Sequence, residues 1–499
     1  MGEIYSQCQR VLIWLGQEVQ DTESMSYYFG NSAFVAPQLH ASSSFSSTDS
    51  RHAPTDQKPL IFSIPRQQSF VRSLLSLPWF SRAWVVQEAV LPPKATCFLS
   101  TSTFPIDELW AVIRRFRSSE DRVASADYVG LRQLQGYLVL SEIVRLRDQR
   151  LGVTGESSGG EEKPSFYHSL SLFAPRCRTT NKHDIVYAFL GLQDESQISI
   201  LPDYHIDWNE VPVMVTRSII EASGSLDLLG VLHRRDDDET RWSDLPSWVP
   251  DWSRRLKAEA FVFPKCYMYF DAARGMRHRP EKRDGISSSC LIVRGKIISE
   301  VTHTLPFTQI DREPATSRHQ WHVHSYLNIA RLGDVLREIW PEGRTTSSRE
   351  HILKTCLADG SFVFNRTTSS DNRDGLSAAD IQVLLQTYDY LHALAALQDT
   401  QPSKPTKSWK TKATQLRDHG RIAWGRQLVV GRDWRLGLTH ETVKEGDVMC
   451  IIHGSKVPLM LRRLANGYCR LMGQCYFEGA MRGEEVNWNE ESADEFVLV

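Results

Sequence analysis

At 499 residues the chain exceeds what one hydrophobic core organises, so two or three domains are expected. Hydrophobic residues make up 41% and aromatics 10%, with 14 tryptophans, a composition that excludes a disordered chain. A formal net charge of -2 leaves no basic footprint, so nucleic acid is not expected as a partner.

Nine cysteines (Cys8, Cys97, Cys177, Cys266, Cys290, Cys356, Cys450, Cys469, Cys475) are odd in number and scattered, with no CxxC pair and no histidines at ligand spacing. They read as reduced thiols of a cytoplasmic protein, and no metal is expected. No apolar run reaches membrane-spanning length, and the N-terminus carries no basic region followed by an apolar core, so neither a membrane nor secretion is expected.

Ile4, Tyr5 and Cys8 follow helical spacing and lead into 10–16, an apolar run that reads as a buried strand. Residues 41–57 are Ser-rich and read as an inserted loop. Residues 77–88 read as one helix: Pro78 suits a first turn, Phe80 and Trp84 are spaced i,i+4, Glu88 continues their face, and Pro92 and Pro93 stop the element. A carboxylate one turn beyond two large aromatics must find a partner or take a raised pKa. Glu88 is therefore either a buried carboxylate set against an arginine or a chemically active group.

Residues 96–99 read as a strand, 106–116 and 128–146 as helices, and the Gly/Ser/Glu-rich 152–164 as a second insertion. Residues 179–192 begin with capping types, continue as a helix and close on Gly191. A helix over 211–222 precedes a Trp-rich connector, 245–252, whose two prolines forbid a helix and which is expected to pack on the first domain. Beyond Ser288 the chain turns to strands: 290–298, then, after a basic stretch at 398–412, 448–454, 457–462 and 467–473, as in a small barrel or curled sheet.

Three blocks, in this order, resemble the fungal heterokaryon-incompatibility (HET) domain. They are Ile4 to Gly16 with Trp14 and Gly16, Trp79 to Glu88 with Arg82, Trp84 and Gln87, and Asp184 to Leu192 with Tyr187 and Gly191. The 245–252 connector and the region after Gly446 also look like segments that follow that domain. The family pattern begins further upstream, with a Ser-Tyr-x-Trp-Gly strand, so 1–193 reads as a truncated domain carrying the two insertions. Residues 194–287 then form a helical, Trp-rich connector, and 288–499 a mostly β region with a helical insertion. With its upstream neighbour missing, the 10–16 strand is expected at a sheet edge.

The resemblance implies a role in fungal non-self recognition and programmed cell death, through association of the HET domain with protein partners, itself included, and without a cofactor. HET domains are distant relatives of TIR domains, which implies an α/β, doubly wound sheet of flavodoxin-like order. Some TIR domains cleave NAD with a glutamate four residues after a tryptophan. Trp84 and Glu88 share that spacing, so the alternative reading is an NAD glycohydrolase with Glu88 as candidate catalytic carboxylate and NAD as substrate, its binding residues unassigned. Loss of the central strand argues against activity, which also admits a degenerate, inactive paralogue.

Other chemistries are weaker. There is no Gly-x-Ser-x-Gly elbow and no phosphate-cradling glycine loop. His183 and Asp184, neighbours on a helix, point apart and suit capping or solvated roles. Arg82 is expected to pair with a local acid or to stack on Trp79 or Trp84, and Trp248 and Trp252 to pack under the connector.

Overall fold

The computed structural model describes residues 2–16, 21, 24, 28–29, 64–120, 134–153, 166–192, 200–231, 245–252, 270–281, 283–306, 355, 425–488 and 490–499. The stretches 41–57 and 398–412, and all but the start of 152–164, lie outside the described residues. The chain divides into two units, one of 1–163 with 176–179, the other of 164–175 with 180–499.

The first unit is mixed α/β. It contains α1 (Gly2–Gln7), β1 (Val11–Gly16), α2 (Ile64–Leu75), a tight 3-10 turn (Pro78–Ser81), α3 (Val85–Val90), β2 (Ala95–Leu99), β3 (Ser102–Pro105), α4 (Ile106–Glu120) and α5 (Gln135–Arg150). β1 pairs in parallel with β2, Val11 opposite Ala95 and Trp14 opposite Phe98, and β2 pairs antiparallel with β3. Among the described residues β1 has no second neighbour.

Its burial departs from the sequence reading. Ile13 and Leu15 are buried, whereas Leu12 and Trp14 are 65% and 57% exposed. The apolar run fills one face of the sheet with core and leaves the alternate residues in water, because side chains alternate along a strand.

Residues 77–88 are not one helix. The turn Pro78–Ser81 ends at Arg82, whose backbone is extended (φ -88, ψ 136), and α3 begins only at Val85. The cause is tertiary: Arg178 N donates to Ser81 O, and Ala83 N donates to Arg178 O, so a strand-like bridge takes the bonds a continuous helix would have used. Phe80 and Trp79 are buried edge-to-face, 5.0 Å apart, while Trp84 is only half-buried. α5 approaches α2 through Gly136, where a Cβ would sit 2.0 Å from the carbonyl oxygen of Leu75. Only glycine fits there.

The second unit opens with α6 (Phe166–Phe173), α7 (Asp184–Tyr187) and α8 (Glu210–Ser223), the last closed by Gly224 in the left-handed conformation (φ 62). The helix expected over 179–192 shrinks to α7 and a 3-10 turn, Leu190–Leu192. Five consecutive residues, Val186 to Leu190, are buried.

The connector, 245–252, is bonded within its own unit, as expected of the C-terminal β region. Ser247 N donates to Val499 O, Leu471 N to Ser247 Oγ and Trp248 Nε1 to Ser289 O, each at 2.9 Å, so it is sewn to the C-terminal β region. Trp248 and Trp252 are buried there.

That region is built from β4 (Leu291–Pro306), β5 (Arg426–Gly431), β6 (Leu436–His440), β7 (Val448–Ile452), β8 (Leu459–Arg463), β9 (Cys469–Phe477) and β10 (Asp494–Leu498). Six antiparallel strands run β4-β5-β6-β9-β8-β7 and close through β7 on β4, with β10 laid beside β4. β4 serves both ends of the closure, pairing β10 and β7 with its first half and β5 with its second. Register shifts at Ile297/Ser299 and Val301/His303 let it bend around the barrel. Its core cluster includes Val301, Val429, Met449, Met460, Met472, Cys475 and Phe477.

Candidate functional site

α3 buries Val85, Val86, Gln87, Ala89 and Val90 and leaves Glu88 as its one half-exposed side chain. The C-terminal end of the helix is held by Arg147, which is 2% exposed. Its Nη1 donates to Ala89 O and, at 3.0 Å, to Pro92 O, and its Nη2 to Pro93 O at 3.4 Å. A guanidinium here satisfies the orphan carbonyls at the helix end and suits the negative end of its dipole. Burial lowers the Arg147 pKa from its usual value, while Asp107, 3.9 Å away, works the other way.

The Glu88 carboxylate accepts a hydrogen bond from the Tyr5 hydroxyl of α1 at 3.1 Å. The arginine partner foreseen for a buried Glu88 is absent among the described residues. Glu88 is the one side chain of this short helix left half-exposed, so the carboxylate keeps water contact and a neutral donor suffices. Burial, then the Glu88 charge and their hydrogen bond, pushes Tyr5 from 10.0 up to about 12, and the positive charge of Arg82 partly opposes this.

Arg82 is exposed and, among the described residues, has neither the acid partner nor the stacked ring expected of it. Its backbone position is dictated by the bridge to Arg178, which turns its side chain outward.

The remaining motif residues serve different ends. Trp14 stands exposed on β1, Gly16 O accepts from Ser100 N at 3.1 Å, and Trp79 and Gln87 are core, Gln87 Oε1 having no hydrogen-bond partner among the described residues. Asp184, Tyr187 and His183 belong to the other unit, where they fold a loop onto α7. Tyr204 Oη donates to Asp184 Oδ1 at 2.7 Å, Tyr187 Oη to Asp203 O at 3.0 Å, and the His183 ring lies between Asn181 Oδ1 and Ile206 O. Gly191 is half-buried in the 3-10 turn.

The structure thus joins Glu88, Tyr5 and Arg82, and adds Arg147 and Arg178, which the sequence did not single out. No group of three or more metal-ligating side chains occurs among the described residues. Nor is any described helix long and apolar enough to cross a membrane.

The family model described as "Heterokaryon incompatibility protein (HET)" matches residues 1–88, from α1 through Glu88. This segment is thus similar to the HET domain. Over an alignment of 566 residues the chain is also 22% identical to "Heterokaryon incompatibility protein 6, OR allele" of Neurospora crassa, covering 100% of this chain and 80% of that relative. No solved structure matches. The HET match therefore takes in Tyr5, Trp14, Arg82 and Glu88, while Arg147 and Arg178, which support or face them, lie beyond it.

Proposed function

We propose that this chain acts in fungal non-self recognition, its HET segment associating with protein partners, a second copy included, to trigger cell death in the cytoplasm. The observation that carries the reading is the HET match over 1–88 combined with similarity along the whole chain to a Neurospora protein named for heterokaryon incompatibility. The surface of the segment suits association: β1 offers an unpaired edge among the described residues, free of proline and charge, with Leu12 and Trp14 exposed beside it. A TIR-like winding is part of the same reading, supported by the parallel β1–β2 pair whose connection runs through α2 and α3.

The test is genetic. The chain is expressed in one of two otherwise compatible fungal strains, and the fused cells are scored for viability across a panel of mates. Loss of viability with particular mates is expected, restored by the surface variants Leu12→Ser and Trp14→Ser. Viability that is the same with and without the chain across the panel overturns the proposal.

A further inference from the structure

Arg82 and Arg178 face each other across an isolated parallel bridge. Residues so opposed lie about 5 Å apart and send their side chains to the same side of the backbone. Both are exposed, and among the described residues neither guanidinium has a hydrogen bond or ion pair. Several other arginines are paired, among them Arg66 with Asp21, Arg145 with Glu142, Arg294 with Glu281 and Arg462 with Asp447, while Arg10, Arg463 and Arg470 also lack such a partner among the described residues.

The fold needs only the backbones of Arg82 and Arg178, since the bridge is made by Arg178 N to Ser81 O and Ala83 N to Arg178 O. Their charges are therefore an electrostatic cost with no structural return. The pair also has neighbours that would shape a ligand site: Arg82 is within electrostatic reach of the Tyr5 hydroxyl, and Trp84 is half-buried two residues on. The Glu88 carboxylate, which would repel an anion, accepts from Tyr5 instead of from either arginine. Two guanidinium forks on one side of a bridge match the oxygens of a phosphate or a diphosphate.

We propose that Arg82 and Arg178 form a binding site for a phosphate or diphosphate group of a small molecule, whose negative charge relieves the repulsion between them. The site does not depend on the association reading.

The test uses the full chain, pyrophosphate and inorganic phosphate as probes, sodium chloride at matched ionic strength as control, and thermal unfolding as readout. At least one phosphate probe is expected to give a saturable rise in Tm that chloride does not give. Arg82→Gln and Arg178→Gln should each weaken that binding about tenfold or more, and Arg178→Lys, which keeps the charge and loses the fork, by less. Without ligand, each Gln variant should melt at or above the wild type, because it removes one of two like charges. No saturable response overturns the proposal, as does a response that chloride reproduces or that survives unchanged in both Gln variants. Gln variants that melt clearly below the wild type without ligand would make the arginines structural, and also overturn it.

Discussion

Glu88 keeps part of its carboxylate in water and takes its hydrogen bond from the neutral Tyr5 hydroxyl. An amide oxygen can accept that bond as well as a carboxylate, so Glu88→Gln should change the stability by less than about 1 kcal/mol. In urea unfolding, a loss of about 3 kcal/mol would instead mark a broken buried ion pair. Tyr5 adds an alkaline pH dependence. Its folded pKa is raised from 10.0 to about 12, so its contribution is complete below pH 10 and is lost as pH climbs toward 12. Tyr5→Phe should flatten that alkaline decline, and an unaltered decline would show that other groups cause it. Arg147 is a different case, being buried and satisfying three carbonyls around the end of α3. Truncating it to alanine should cost about 3 kcal/mol in denaturant unfolding. A cost below about 1 kcal/mol would mean that water replaces it there.

At the scale of elements, α2 and α5 meet where Gly136 leaves room for the Leu75 carbonyl. Gly136→Ala should therefore destabilise by about 2 kcal/mol even though alanine is the better helix former, and a variant of equal or higher Tm would show that the two helices part freely. The same competition between local preference and tertiary contact decides what the sequence made legible. α4, α8 and the strands β4, β7, β8 and β9 are legible from their apolar spacing, whereas β5, β6 and β10 go unread. The 77–88 stretch was misread because Arg178, far along the chain, claims the backbone at Ser81 and Ala83. Residues 179–192 depart from the expected single helix, which ends at Tyr187 before the 3-10 turn Leu190–Leu192. Glu88 stood out as a carboxylate in an apolar run. Its hydrogen-bond donor Tyr5 and the Arg82–Arg178 opposition depend on chain paths that no local pattern encodes.

At the scale of the whole molecule, the connector and the barrel of the second unit are joined at a knot of backbone bonds. Leu226 N donates to Gly454 O, Gly454 N to Met276 O and His278 N to Gly224 O. His278 is 4% exposed there, and burial pulls its pKa from 6.5 down to about 4, with His453 and Arg217 pushing the same way and Glu281 opposing. The unfolded chain therefore binds more protons between pH 6.5 and 4, and stability falls as pH drops through that window. Urea midpoints at pH 7, 5.5 and 4.5 should show a steeper decline for the wild type than for His278→Gln, and equal declines would contradict this assignment.

The barrel's core has a further consequence. Met449, Met460 and Met472, all below 5% exposed, share one cluster with the Cys475 thiol. While the barrel is closed, peroxide cannot reach their sulfur atoms. Once it opens, each thioether can become a sulfoxide, whose polar oxygen has no place among Val301, Val429 and Phe477 when the chain tries to refold. Under oxidants the barrel is thus a ratchet: molecules that stay closed are spared, and those that open even briefly are chemically marked and lost. Peptide mass spectrometry after peroxide treatment should find sulfoxide at these three positions in the unrefolded fraction and not in the native one.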